Sequence, residues 1–212
     1  MVMLVVWTPR PWQRLLWPVA AVYLVAVTCL SFDGLKAMGL RTVNLLRSLW
    51  VVGVALAAAA LAIFVASELH TLRLPGSPAQ FVHAYAVYAI WAFVQQFLLQ
   101  SIFLARLLRL LPNTNSAVLL SALIFSVAHL PNPILTPITL ILGLAACLVF
   151  LHYRNLFSVA LAHAILGISI AVTVPGPVDH NMRVGLSYLA YTQRPVASAH
   201  SPAPLNATTM TR

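Results

Sequence analysis

Within an otherwise apolar stretch, Trp91-Ala92-Phe93-Val94-Gln95-Gln96-Phe97-Leu98-Leu99-Gln100 sets three side-chain amides among residues that hold no water. Two histidines, His129 and His163, stand in later apolar runs, the first with Phe125 four residues before it. Histidine is the side chain that takes and returns a proton near neutral pH, whereas a glutamine amide donates and accepts hydrogen bonds but takes no proton there. Brought together, such groups hold and polarise a water or a carbonyl. The plainer alternative for the glutamines is interhelical glue, worth about 0.6 to 2 kcal/mol per contact in a membrane. For histidines it is satisfied packing, and that is the expectation for His83 and His152.

The elements that must position these residues are membrane helices. The chain has 212 residues, 61% hydrophobic and 7% charged, with a mean hydropathy of +0.93. Globular sequences carry about a quarter charged residues, and here stretches of roughly 20 residues carry none, as membrane-spanning helices do. The expected fold class is all-α, a polytopic transmembrane helical bundle of about six spans. Twelve Lys and Arg against three acids give a formal charge of +9. The basic residues lie between the apolar runs, so the expected partner is the lipid bilayer with its anionic headgroups. Nucleic acid would need a clustered basic surface and is not expected as a partner.

The spans are expected near Leu15 to Phe32, Ser48 to Ser67, Phe81 to Leu111, Ala117 to Leu130, Ile134 to His152 and Leu156 to Val174. The first resembles the start of a signal peptide, but no small-x-small cleavage site follows it, so an uncleaved span is expected. Residues 1–80 make a two-span N-terminal region with a basic linker, 81–176 a four-helix core, and 177–212 a polar tail. That tail is read as a surface helix from Asn181 to Tyr191 and then disorder from Pro195 to Arg212. The fourth element is only about 21 Å long as a helix and stops at Pro131-Asn132-Pro133. A helix that breaks at membrane depth must be received by protein or a watery cavity, so His129 is expected to face a wet interior.

Rise per residue puts the polar groups in one slab. Measured from a floor of Arg106, Ser116 and Asn155, Gln95 lies about 16 Å up, Gln100 about 9 Å, His129 about 19 Å and His163 about 12 Å. Gln96 and Gln100 share a helix face, as do Ser121, Phe125 and His129. Cys29 and Cys147 are expected to be small core residues without a disulfide. Trp12, Trp17, Trp50 and Tyr153 are expected as interface anchors. Asn206-Ala207-Thr208 matches a glycosylation acceptor only at chance level.

Taken in order, Gln95 to Gln100, then Phe125-Ser126-Val127-Ala128-His129-Leu130-Pro131, then Arg154-Asn155-Leu156-Phe157 leading to His163, resemble the CAAX-protease and bacteriocin-processing family of intramembrane proteases. The resemblance covers roughly Phe81 to Pro175. The family carries EExxxR, FxxxH and HxxxN motifs on successive helices. Here Gln95 and Gln96 replace the glutamates, Gln100 the arginine and Gly167 the final asparagine, while Phe125, His129 and His163 are retained.

The resemblance implies an endopeptidase acting on a membrane-embedded or lipidated peptide, in a bacterial inner (plasma) membrane. Its implied catalytic residues are Gln95, Gln96, His129 and His163, supported by Gln100, Phe125 and Gly167. In the family a glutamate and the first histidine activate a water, and the second histidine and the asparagine stabilise the oxyanion. A glutamine cannot act as that base. His129 is then the base, Gln95 orients the water and His163 donates to the oxyanion. The swaps remove opposite charges together, which avoids a buried unpaired ion. No cofactor is expected and no metal, since two histidines fall short of the three protein ligands typical of catalytic zinc. The alternatives are a non-catalytic peptide-binding relative and a small transporter component whose amides line a polar path. Oligomeric state is open.

Overall fold

A computed structural model describes residues 2–193. The expected disordered tail, Arg194 and the Asn206 acceptor lie outside the described residues. The helices are α1 (Val2–Val6), α2 (Arg10–Leu30), α3 (Leu45–Glu68), α4 (Pro78–Leu110), α5 (Thr114–Val127), α6 (Leu135–Tyr153), α7 (Leu156–Thr173), α8 (Gly176–Asp179) and α9 (Gly185–Thr192), with no strand among the described residues. Five of them (α2, α3, α4, α6 and α7) are long and apolar enough to cross a membrane, and α5 is a shorter apolar helix. This is the all-α, polytopic bundle of about six spans expected of so apolar a chain, an integral membrane protein in contact with lipid.

Local chemistry fixes the helix ends. Ser77 Oγ accepts the Gln80 N–H (3.3 Å) and Pro78 opens α4, so this helix starts three residues before the expected Phe81. Asn113 caps α5 through the Asn115 N–H (2.8 Å), and Asn155 caps α7 through the Ser158 N–H (3.1 Å). Arg154, at φ 51°, turns the chain between α6 and α7 in the left-handed region. Inside α4 the segment Leu98–Leu104 is π-helical, between α-helical Pro78–Phe97 and Ala105–Leu110. The uniform helix expected there is therefore wound wider where it passes Gln100, as π segments are at many functional sites.

The core is built by close helix approach. Ser48, Val52, Ala55, Ala59 and Ala66 form the buried stripe of α3, which packs along α7. On α7 the small residues Ala160, Ala162, Ala164 and Gly167 are buried in turn, so backbones approach where lipid gives no hydrophobic drive of its own. α5 lies on α6, and α4 on α7. Phe150, Leu156, Leu99 and Leu104 fill the centre. Cys147 is buried as expected, but Cys29 is exposed on α2, a correction that follows from the scant packing of that helix, where Ala20 alone is buried. Trp17 meets Trp91 of α4 edge-on at 5.5 Å, and Trp50 Nε1 donates to the Tyr153 hydroxyl (3.0 Å).

The basic linker before α3 proves to be a floor. Ser101 Oγ donates to the Met38 carbonyl (2.9 Å), the Leu156 N–H to the Gly39 carbonyl (2.9 Å), and Asn155 Nδ2 to the carbonyls of Arg41 and Val43 (3.1 and 3.2 Å). Gly39 has φ +71°, and a Cβ there would fall 2.4 Å from the Phe150 ring, so the close approach requires glycine.

Above the break in α5 the fully buried Asn132 makes a four-way clamp. Its Oδ1 accepts from the N–H groups of Ile134 (3.0 Å) and Leu135 (2.9 Å), and its Nδ2 donates to the carbonyls of Asp179 (2.8 Å) and Arg183 (3.1 Å). The C-terminal segment is thereby tied over the break. Asp179 Oδ1 turns the chain by accepting the Asn181 N–H (2.9 Å), and positive φ at His180, Asn181 and Met182 delays the surface helix from the expected Asn181 to Gly185.

Two predictions follow from this clamp. Asn132→Ala removes a cap and leaves two buried carbonyls unpaired, and should cost about 2 to 4 kcal/mol, read as a lowered unfolding midpoint in detergent. Asp179 is fully buried with Oδ2 unpartnered, and burial pushes its carboxyl above the ordinary 3.8, against the opposing pull of the Asn181 N–H and Arg73. A raised folded-state value means that its contribution is greatest below the ordinary value and is lost as pH rises through the raised one. Asp179→Asn, which keeps the acceptor oxygen, should therefore flatten the decline of the unfolding midpoint with rising pH in that window.

Candidate functional site

Helix α4 carries the amides and α7 meets them. Gln96 and Gln100 are buried, and Gln100 Nε2 donates to Gln96 Oε1 (3.2 Å). With its oxygen so engaged, Gln96 turns its Nε2 to His163 Nδ1 (3.0 Å). The direction of this relay determines the imidazole: Nδ1 accepts, so the proton of the neutral ring sits on Nε2, which is a donor. Gln100 Oε1 is buried without a partner in hydrogen-bond geometry, beside the Cys147 thiol.

His129 is held the opposite way. α5 ends at Val127, and the last turn tightens: the His129 N–H bonds the Ser126 carbonyl (2.9 Å) instead of the one four residues back. The Phe125 carbonyl is thus left for the His129 ring, whose Nδ1 donates to it at 2.8 Å. Nε2 of His129 then carries a lone pair. The two histidines therefore present complementary nitrogens, one accepting and one donating.

The Phe125 ring is edge-on to both imidazoles, with centroids 4.8 Å from His129 and 5.7 Å from His163. It lines two cavities. A larger one, about 450 Å³, is bordered by Tyr88, Gln95, Phe125 and His129 and roofed by Asn181 and Met182. A smaller one, about 90 Å³, is bordered by Gln96, Phe125, Thr139 and His163. The seven residues expected at the site thus divide: Gln95 and His129 on the larger cavity, Gln96 and His163 on the smaller, Phe125 on both, and Gln100 behind Gln96. Gly167 lies one turn beyond His163 on α7, beneath the Tyr88 ring.

No acid lines either cavity. Asp33, in the linker after α2, pairs with Arg109 at the end of α4, and that guanidinium holds its carboxyl below the ordinary 3.8. Glu68 is exposed at the end of α3, and Asp179 is packed against the Asn132 clamp. Among the described residues no three His, Cys, Asp or Glu side chains come together as a metal shell.

Sequence reasoning missed Tyr88, although it stands seven residues before Gln95 and so shares its helix face. It also missed the roof from Asn181 and Met182, which no local pattern announces.

The Type II CAAX prenyl endopeptidase Rce1-like family model matches residues 77–168, the stretch that holds α4, α5, α6 and both histidines. No curated protein and no solved structure matches the chain.

The relay is testable directly. Gln96→Leu leaves His163 Nδ1 without its donor and Gln100 Nε2 without its acceptor, so imidazole nitrogen chemical shifts in micelles should change from a single Nε2–H tautomer to a mixture. Stability should fall by about 1 to 3 kcal/mol.

Proposed function

We propose that this chain, similar over residues 77–168 to the type II CAAX prenyl endopeptidases, is an intramembrane endopeptidase of altered chemistry. It acts on a membrane-embedded or lipidated peptide, in a bacterial plasma membrane. The observation that supports the reading best is the opposite setting of the two imidazoles, His129 with a free Nε2 lone pair on the larger cavity and His163 with a donor Nε2–H behind Phe125.

In this reading the peptide carbonyl lies in the larger cavity against Phe125. Gln95 holds a water by its amide, and His129 Nε2 takes a proton from that water as its oxygen bonds the carbonyl carbon. The carbonyl electron pair moves to oxygen, and His163 Nε2–H meets it when the Phe125 ring turns aside. As the C–N bond breaks, His129 returns the proton to the amine nitrogen, leaving an acid and an amine. Gln96 and Gln100 hold His163 in its donor form.

One observation favours a second reading, a binding protein without catalysis: Gln95 stands in the larger cavity where a carboxylate would be the stronger base, and no acid replaces it.

The test is cleavage by the purified chain in detergent of a prenylated peptide ending in a CAAX motif and of an unlipidated apolar peptide. His129→Ala should lower turnover by about 10²-fold or more, and His163→Ala by a similar factor. Turnover unchanged in both histidine variants would sink the assignment. Cleavage that appears only with Gln95→Glu would favour the binding protein.

A further inference from the structure

Charge developing on a carbonyl oxygen in the larger cavity is met without rearrangement by donors that already face that cavity, so His163, which reaches it once the Phe125 ring turns aside, leaves a place for a second, preorganised donor. His163 opens onto the smaller cavity, behind Phe125. The larger one has another donor. Tyr88 lines it together with Gln95 and His129.

The phenol is placed by a glycine on the facing helix. A Cβ at Gly167 would fall 1.7 Å from Tyr88 Oη and 2.5 Å from its Cζ. The end of the ring therefore occupies the room that any side chain at 167 would take. The phenol end is thus packed against α7 at Gly167 while the ring is carried by α4. A phenol in an apolar wall ordinarily finds a hydrogen-bond partner, yet the Tyr88 hydroxyl makes no hydrogen bond to another described residue. A donor that is held in place and left unspent is what a ligand oxygen would use.

We infer that Tyr88 is a catalytic residue of this site, its O–H donating to the oxyanion of a peptide carbonyl in the larger cavity, and that Gly167 is the positioning residue that makes room for it. The inference rests on the peptide-hydrolase reading above. No proton leaves the phenol: the water oxygen bonds the carbonyl carbon, the carbonyl pair moves to oxygen and accepts the Tyr88 hydrogen bond, and the bond is released as C–N cleaves and His129 protonates the amine.

The experiment uses the full chain in detergent, with two readouts. The first is kcat and KM on a cleaved lipidated peptide. The second is the ratio of affinities for a phosphinic peptide, which carries a tetrahedral oxyanion, and for its ground-state parent. Tyr88→Phe should lower kcat by about 10²-fold with KM nearly unchanged, and the phosphinic preference should fall with it. Gly167→Ala, which pushes the phenol out of its seat without removing it, should lower kcat in the same sense. The pair Tyr88→Ala and Gly167→Asn, which offers an amide from the other side of the same space, should recover part of what Tyr88→Ala loses.

Wild-type kcat and an intact phosphinic preference in Tyr88→Phe would overturn the role of Tyr88 and leave the hydrolase reading standing. No cleavage by the wild type, with a phosphinic preference that Tyr88→Phe removes, would overturn the hydrolase reading and keep the donor. No cleavage and no preference would overturn both.

Discussion

An amide at membrane depth has no water to fall back on, and the fold depends on how this chain answers that constraint. Gln100 gives its hydrogen to Gln96, and Gln96 gives its own to His163. The relay joins α4 to α7 by one directed bond, Gln96 to His163, where apolar contact has little to add, since lipid tails are as apolar as leucine. It also settles the proton on His163, because an acceptor at Nδ1 obliges a donor at Nε2. Structure and chemistry are thus carried by the same two hydrogen bonds.

The backbone meets the same constraint at Pro131-Asn132-Pro133. Carbonyls and amides released where α5 stops cannot be left in lipid. Asn132 takes the free amides of α6, and its own NH₂ takes two carbonyls of the returning C-terminal segment. The segment that satisfies the break also roofs the larger cavity through Asn181 and Met182. One level down, the Phe125 carbonyl released by the tightened end of α5 orients His129. In both places freed backbone groups fix a neighbour, the C-terminal segment in one and the His129 ring in the other.

Hydropathy made the bundle legible, because runs without charge leave few alternatives to a span, and the ends of α3, α6 and α7 fell within three residues of expectation. Helical spacing also made the Gln96–Gln100 pair legible. What stayed hidden depends on contacts between distant segments. The π-helical turn at Leu98–Leu104 has no residue pattern of its own, since leucines and isoleucine suit an α-helix as well. The division into two cavities follows from the Phe125 ring orientation, which spacing does not reveal. The linker floor is made by backbone carbonyls of residues 38–43, and carbonyls are the same in every residue. The seat of Tyr88 is set by the missing side chain at Gly167, on another helix, which no pattern around residue 88 announces.

The relay has a further consequence, electrical in kind. Moving one elementary charge through a membrane potential costs or yields about 2.3 kcal/mol per 100 mV. Gln95, Gln96 and Gln100 carry dipoles but no formal charge, so this cluster has almost no work to do against the transmembrane field. Glutamates and an arginine at the same depths would each feel that field. With amides there instead, these three side chains give the contact of α4 with α7 no formal charge through which a membrane potential could act on it.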